Sequence, residues 1–138
     1  MNPTPTWLAS IPAGALVAGG GALGAWLRYL TNRNFDLALG ASAAAFPWAT
    51  LAVNVLGSGA MGLLVGWLAR HGGGTESLRL LVGVGVLGGF TTFSSFALEF
   101  AVFVERDQIG LAALYVAVSL IAGFAALFAG LMLARVAA

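Results

Sequence analysis

Hydroxyl and aromatic side chains are concentrated in one short stretch of an otherwise apolar sequence. Residues 88–96, GGFTTFSSF, hold two Thr, two Ser and three Phe. A hydroxyl group can donate a hydrogen bond to an anion, and the edge of an aromatic ring carries a positive partial charge that can also contact one. Phe93 and Phe96 are therefore candidate anion contacts, with Thr92 and Ser95 as candidate donors.

The aromatic residues in and after this stretch form a stripe. They are spaced by three, four and three residues, which places them on one helical face: Phe93, Phe96, Phe100 and Phe103. Such a stripe is usually core or lipid-facing surface, and the neighbouring hydroxyls favour the anion-contact interpretation here.

Further polar residues lie inside the other apolar stretches. Asn54 lies in the middle of one, and Tyr115 and Ser119 are one helical turn apart in another. A polar group without a partner in hydrocarbon costs several kcal/mol, so it usually has a partner or a function. Tyr115 and Ser119 could add hydroxyls to the same anion path, whereas Asn54 could equally form a helix-to-helix hydrogen bond. Glu99 is expected to pair with an arginine or to reach toward the lipid headgroups.

The glycine pair that opens residues 88–96 predicts an interruption of the helix. Glycine is unfavourable inside a helix, and Ser and Thr side chains compete for backbone hydrogen bonds. We therefore expect the helix to unwind between residues 88 and 95. Broken helices at membrane depth occur where they line a cavity or bind an ion.

Four apolar stretches must position these residues. They cover about residues 11–30, 47–69, 78–104 and 109–133, and roughly 20 apolar residues suffice for a helix to cross the hydrocarbon core. The chain is 60% hydrophobic and 8% charged, against about 25% charged in soluble domains. The sequence thus predicts one all-α integral membrane domain over residues 1–138, with four transmembrane helices and the third broken mid-membrane.

Composition and motif context exclude several other classes. A net charge of +1 offers no basic surface for nucleic acid, and the absence of Cys excludes disulfides and thiolate metal sites. Two G-x-G-x-x-G strings, residues 19–24 and 83–88, lie inside apolar stretches, so we interpret them as packing glycines rather than a nucleotide site. No acid pair can be placed on one apolar face for general acid and base chemistry, so an enzyme is not expected.

Charge and glycine patterns leave the topology and the oligomeric state open. Four spans put both termini on one side of the membrane, and the arginines then divide equally between Arg70, Arg79 and Arg135 on that side and Arg28, Arg33 and Arg106 on the other. The positive-inside rule therefore sets no orientation, as for a protein that inserts both ways or for an uninformative set of loops. Three small-xxx-small pairs could serve a homo-oligomer or packing within one subunit: Gly20 and Gly24, Gly62 and Gly66, Gly85 and Gly89.

Four motifs, one per predicted helix, resemble those of the CrcB or Fluc fluoride channels. They are GAxxRY (24–29), VNxxGS (53–58), GGxTTFSxF (88–96) and YxxxS (115–119). The third is highly specific, and the other three are weaker alone but occur in the same order along nearly the whole chain.

The resemblance implies an antiparallel, dual-topology homodimer in the bacterial inner membrane. Two parallel pores would run along the subunit interface and export fluoride passively, with Phe93 and Phe96 lining them. It also implies that Asn54 and Ser119 belong to a polar track and that Arg28 lies near an aqueous vestibule. Fluoride is small and strongly hydrated, so a selective pore must replace its water with several donors that still release it.

The resemblance further implies a central structural sodium ion. Backbone carbonyls at the helix break, corresponding to Gly88 and Thr91 of both subunits, would hold it. One position departs from the family pattern, because Gly123 stands where a further hydroxyl is often found.

Two other functions fit the sequence less well than a channel does. A small multidrug transporter needs a membrane-embedded acid on its first helix, and residues 11–27 contain none. A non-transporting membrane scaffold gives no reason for hydroxyls and an Asn to concentrate at mid-membrane.

Overall fold

The computed structural model describes residues 11–40, 42, 45–71 and 76–136. These residues form helices and short connections and contain no strand. The helices are α1 (Ile11–Leu39), α2 (Trp48–His71), α3 (residues 76–90), α4 (Phe93–Glu105) and α5 (Ile109–Val136). Within α3, Arg79–Leu87 is a π-helix between two short α-helical turns, Glu76–Leu78 and Gly88–Phe90.

Three helical segments among the described residues are long and apolar enough to cross a membrane. They are Trp48–His71, Glu76–Glu105 and Ile109–Val136. The predicted spans 47–69, 78–104 and 109–133 agree with them to within three residues at every end. The chain is thus an all-α, multi-pass membrane protein. α1 is a long helix but is not among these three segments, so the fourth span stays a prediction.

The first helix is longer than its apolar stretch predicts. It was expected to end near residue 30, but it continues to Leu39. Hydropathy marks where the apolar surface ends, whereas a helix ends where its backbone geometry changes. Thr31 keeps its hydroxyl inside the helix by donating to the Leu27 carbonyl at 3.0 Å, and the turn comes at Gly40, whose φ of 52° is the left-handed conformation typical of a helix C-terminus.

Close backbone approach at glycine pairs α1 with α3 and α2 with α5. A Cβ at Gly24 would overlap the α3 backbone, one at Gly62 would overlap the α5 backbone, and Gly85 lies against Gly20. The glycine pairs are therefore used for packing within the subunit, and they give no support to a homo-oligomer. Gly24 and Gly85, one from each G-x-G-x-x-G string, make such contacts, whereas a Cβ at Gly19 or Gly21 would meet nothing within 4 Å.

An aromatic cluster fills the space between the start of α2, α4 and α5. Phe103 and Tyr115 are buried, and Phe46 and Phe96 pack against them. The Tyr115 ring lies 5.5 Å from Phe46, edge to face, and 5.1 Å from Phe96, centroid to centroid. This cluster sets the rotation of α4, which carries the candidate site.

Candidate functional site

The helix formed by α3 and α4 is interrupted at Thr91 and Thr92. Thr91 has ψ 159°, and Thr92 has φ −152° and ψ 118°, so both are extended. Thr92 then caps α4, because its hydroxyl oxygen accepts from the Ser95 N–H at 3.2 Å. The interruption predicted between residues 88 and 95 is present.

Asn54 on α2 satisfies both backbone polar groups of Thr92. The Thr92 N–H donates to Asn54 Oδ1 at 2.8 Å, and Asn54 Nδ2 donates to the Thr92 carbonyl at 3.1 Å. Asn54 thus forms the helix-to-helix hydrogen bond that was one of its two predicted roles. An amide nitrogen carries two N–H groups, so one remains for a second partner.

Arg28 on α1 holds the other extended residue. Its Nη1 donates to the Thr91 carbonyl at 3.2 Å, while the Thr91 hydroxyl donates to the Leu87 carbonyl at 2.9 Å. The break is therefore braced from two helices, by Arg28 at Thr91 and by Asn54 at Thr92.

A groove of about 340 Å³ runs beside the break between α2, α4 and α5. Its lining comprises Asn54, Gly57, Ser58, Met61, Thr91, Thr92, Phe93, Phe96, Ser119, Leu120 and Leu127. Five predicted anion-path residues are among them. The Phe93 and Phe96 ring centroids lie 5.8 Å apart, and Phe93 is 79% exposed in the single subunit. Ser119 Oγ is buried and has no hydrogen-bond partner among the described residues.

Other predicted site residues lie outside this lining. Ser95 is half-buried, and its Oγ accepts a hydrogen bond from the Thr92 hydroxyl at 3.1 Å. Tyr115 is fully buried in the aromatic cluster. The aromatic stripe divides as well, because Phe93 and Phe96 line the groove whereas Phe103 is buried beside Tyr115.

Glu99 is held by hydroxyl groups rather than by an arginine. Thr50 donates to Oε1 and Tyr115 donates to Oε2, both at 2.6 Å. The expectation of an arginine pair or a headgroup contact was wrong, because α4 turns Glu99 toward α2 and α5, where two hydroxyls form short charge-assisted hydrogen bonds. Neither Thr50 nor Glu99 was among the site residues predicted from the sequence. The available signal was that Glu99 follows Phe96 by three residues and so shares its helical face.

This carboxylate also borders a second pocket, of about 410 Å³, between α1, α2 and α4. Asn32, Asp36 and Arg106 line it together with Thr50 and Glu99. The Phe96 ring contacts Tyr115, whose hydroxyl bonds Glu99. A continuous set of side chains therefore connects the groove to this second pocket.

Residues 15–131 match the family described as CrcB-like protein, Camphor Resistance (CrcB). The chain belongs to this CrcB family. A protein of Novosphingobium aromaticivorans named fluoride-specific ion channel FluC is 58% identical over 123 residues, which cover 89% of this chain and 96% of that protein. A protein of the same name from Sphingopyxis alaskensis is 52% identical over 116 residues, which cover 84% of this chain and 90% of that protein. Another from Erythrobacter litoralis is 54% identical over 121 residues, which cover 86% of this chain and 89% of that protein. Because these CrcB relatives are named as channels, the prediction that the chain is not an enzyme is confirmed.

The break in this CrcB chain offers neutral oxygen ligands for the sodium ion that the resemblance implies. The Thr92 N–H, which would otherwise continue the helix by donating to Gly88, bonds Asn54 instead. The Gly88 carbonyl therefore lacks its usual helical donor and fits a cation. The Thr91 carbonyl already accepts from Arg28, and its second lone pair is the one available to an ion.

Proposed function

We propose that this chain is a subunit of a fluoride-selective channel that lets cytoplasmic fluoride leave passively, down its electrochemical gradient. The named activity of the CrcB relatives supports this proposal. The observation that carries it is the groove beside the break, where an amide, hydroxyls and two aromatic rings converge and no lining residue is charged. A donor set without a formal charge can bind a small anion and still release it.

In this mechanism fluoride exchanges its water for groups on α2, α4 and α5. The Ser119 hydroxyl, which lacks a partner within the described residues, and the second N–H of Asn54 donate hydrogen bonds. The edges of the Phe93 and Phe96 rings supply positive partial charge. Asn54 also holds the backbone of Thr92, so the residue that binds the anion keeps the break in position.

The proposal includes an antiparallel homodimer with two pores in the bacterial inner membrane. Phe93 is 79% exposed, and the groove is open on one side of the subunit. Irregular backbone and polar groups at membrane depth are tolerated where protein or water covers them, not lipid. A second copy of the chain would cover the groove, and the equal division of arginines is compatible with opposite insertion of the two copies.

A structural sodium ion completes the proposal. Gly88 and Thr91 would hold it through their carbonyls, and the ion would supply positive charge to the Gly88 oxygen, which the break leaves without its helical donor. It is not transported.

Fluoride efflux from liposomes, recorded with a fluoride electrode, tests the function directly. Purified protein should release fluoride rapidly and exclude chloride, and no efflux from well-folded dimeric protein would refute the channel.

Phe93→Ile and Phe96→Ile should each abolish or sharply reduce flux and leave the dimer intact. Phe124→Ile is the matched control, because Phe124 lies on α5, is 59% exposed and does not line the groove. Unchanged flux in the two groove variants would remove the ring-edge mechanism.

A further inference from the structure

One helical turn beyond Ser119, which lines the groove, α5 carries no side chain. Position 123 is glycine, so no side chain occupies the space there. A Cβ placed on Gly123 would have a single heavy atom within 4 Å, the hydroxyl oxygen of Ser58, at 3.8 Å. Ser58 belongs to α2, the opposite wall, and it lines the groove.

α2 and α5 therefore each place two positions, one helical turn apart, beside the groove. Ser58 follows Asn54 by four residues, as Gly123 follows Ser119 by four, so each pair lies on one helical face. At the first pair of positions, Asn54 and Ser119, both helices carry polar side chains. At the second pair, Ser58 and Gly123, only α2 does.

The hydroxyl of Ser58 is free to donate into the groove. It forms no hydrogen bond with another described residue, whereas the neighbouring hydroxyls of Thr91 and Thr92 are both engaged. Beyond it the lining becomes apolar, with Met61 and Leu127. Ser58 is thus the last hydrogen-bond donor along this end of the groove.

We propose that Ser58 is a further anion-contacting residue, which supplies from α2 the donor that α5 lacks at Gly123. This inference rests on the proposed function and deepens it by extending the anion path one turn past Ser119. The absence of a side chain at position 123 leaves the space beside the Ser58 hydroxyl open to a small anion. A purely structural Ser58 would pack between α2 and α5, and a hydroxyl restored from the other wall would not replace it.

Ser58→Ala removes the donor and keeps the backbone. Because a hydrogen bond to a charged group is worth enough to change a rate about tenfold, fluoride efflux from liposomes should fall by about that factor. Adding Gly123→Ser to Ser58→Ala should restore most of the flux, since the Cβ at position 123 meets only ordinary van der Waals distance. Ser77→Ala, an exposed serine at the start of α3, is the control and should conduct like the parent.

Each outcome separates this inference from the channel itself. If the parent conducts and Ser58→Ala conducts equally, Ser58 has no contact with the anion and the channel stands. A loss in Ser58→Ala that Gly123→Ser does not reverse assigns Ser58 to packing and overturns the inference. If Ser58→Ala does not fold, Ser58→Cys, which keeps a side chain of similar shape with a weak donor, must itself lose flux and recover with Gly123→Ser. A parent that does not conduct refutes both proposals.

Discussion

Replacing Asn54 by leucine tests whether its amide holds the break between α3 and α4. Leucine has nearly the same size and shape but can neither donate nor accept. Asn54→Leu therefore removes the partners of the Thr92 N–H and the Thr92 carbonyl, which the amide engages at 2.8 and 3.1 Å. Thr92 is 8% exposed, so its backbone groups have little access to water that could replace the amide.

The magnitude follows from the two backbone groups left without partners. Each buried donor or acceptor without a partner costs about 1–3 kcal/mol, so Asn54→Leu should lower the free energy of unfolding by about 2–6 kcal/mol. The effect is smaller if the Thr92 N–H can turn back to Gly88, because the break would then close into a continuous helix.

Reversible unfolding in mixed detergent micelles, followed by circular dichroism, measures this difference. Asn34→Leu is the matched control, since Asn34 is exposed on α1 and hydrogen-bonds no other described residue, and its change should stay within about 0.5 kcal/mol. An Asn54→Leu protein as stable as this control would refute the inference that the amide holds the extended backbone.

Three further predictions follow from the packing, the carboxylate and the break. Gly24→Ala should weaken the α1–α3 contact and lower the thermal stability, because its Cβ would overlap the α3 backbone. Gly14→Ala is the control, since the space around Gly14 is open. Equal melting temperatures for the two variants would contradict this packing. Tyr115→Phe removes a 2.6 Å donor from Glu99 and should cost about 1.5–3 kcal/mol of unfolding free energy, while Tyr29→Phe, at an exposed residue, should cost nothing measurable; no loss in the Tyr115 variant would show that the carboxylate does not need this hydroxyl. Sodium at a hundred times its dissociation constant should stabilise the protein by about 2.7 kcal/mol over an equal concentration of a bulky organic cation, and identical melting curves would remove sodium from the proposed channel.

Local features were predictable because they depend on residues close together in the chain. Apolar length placed three of the spans to within three residues at each end. The cluster of Gly, Ser and Thr placed the interruption, which occurs at Thr91 and Thr92. The predicted end of α1 was wrong, because hydropathy gives the length of the apolar surface and α1 continues past that surface as far as Gly40.

The candidate site was only partly predictable, because its residues come from different helices. The sequence indicated Asn54, Phe93, Phe96 and Ser119 as site residues, and the structure brings all of them to one groove. It could not choose between the two roles of Asn54, and it predicted an arginine pair or a headgroup contact for Glu99. Both questions depend on which face of one helix meets which level of another.

By itself, the sequence determined that this is a helical membrane protein with polar groups inside its spans and an interruption in the third. Hydropathy, glycine content and hydroxyl clustering are properties of the local chain, so the features that depend on them can be predicted without knowing how the helices pack. Only the tertiary structure decided which contacts the polar residues make. The amide of Asn54 hydrogen-bonds the backbone at the interruption, and Thr50 and Tyr115 donate to Glu99. Ser58 faces the space beside Gly123. These contacts are set by the rotation and axial shift of packed helices, and one residue of shift turns a side chain by about 100°, away from its partner.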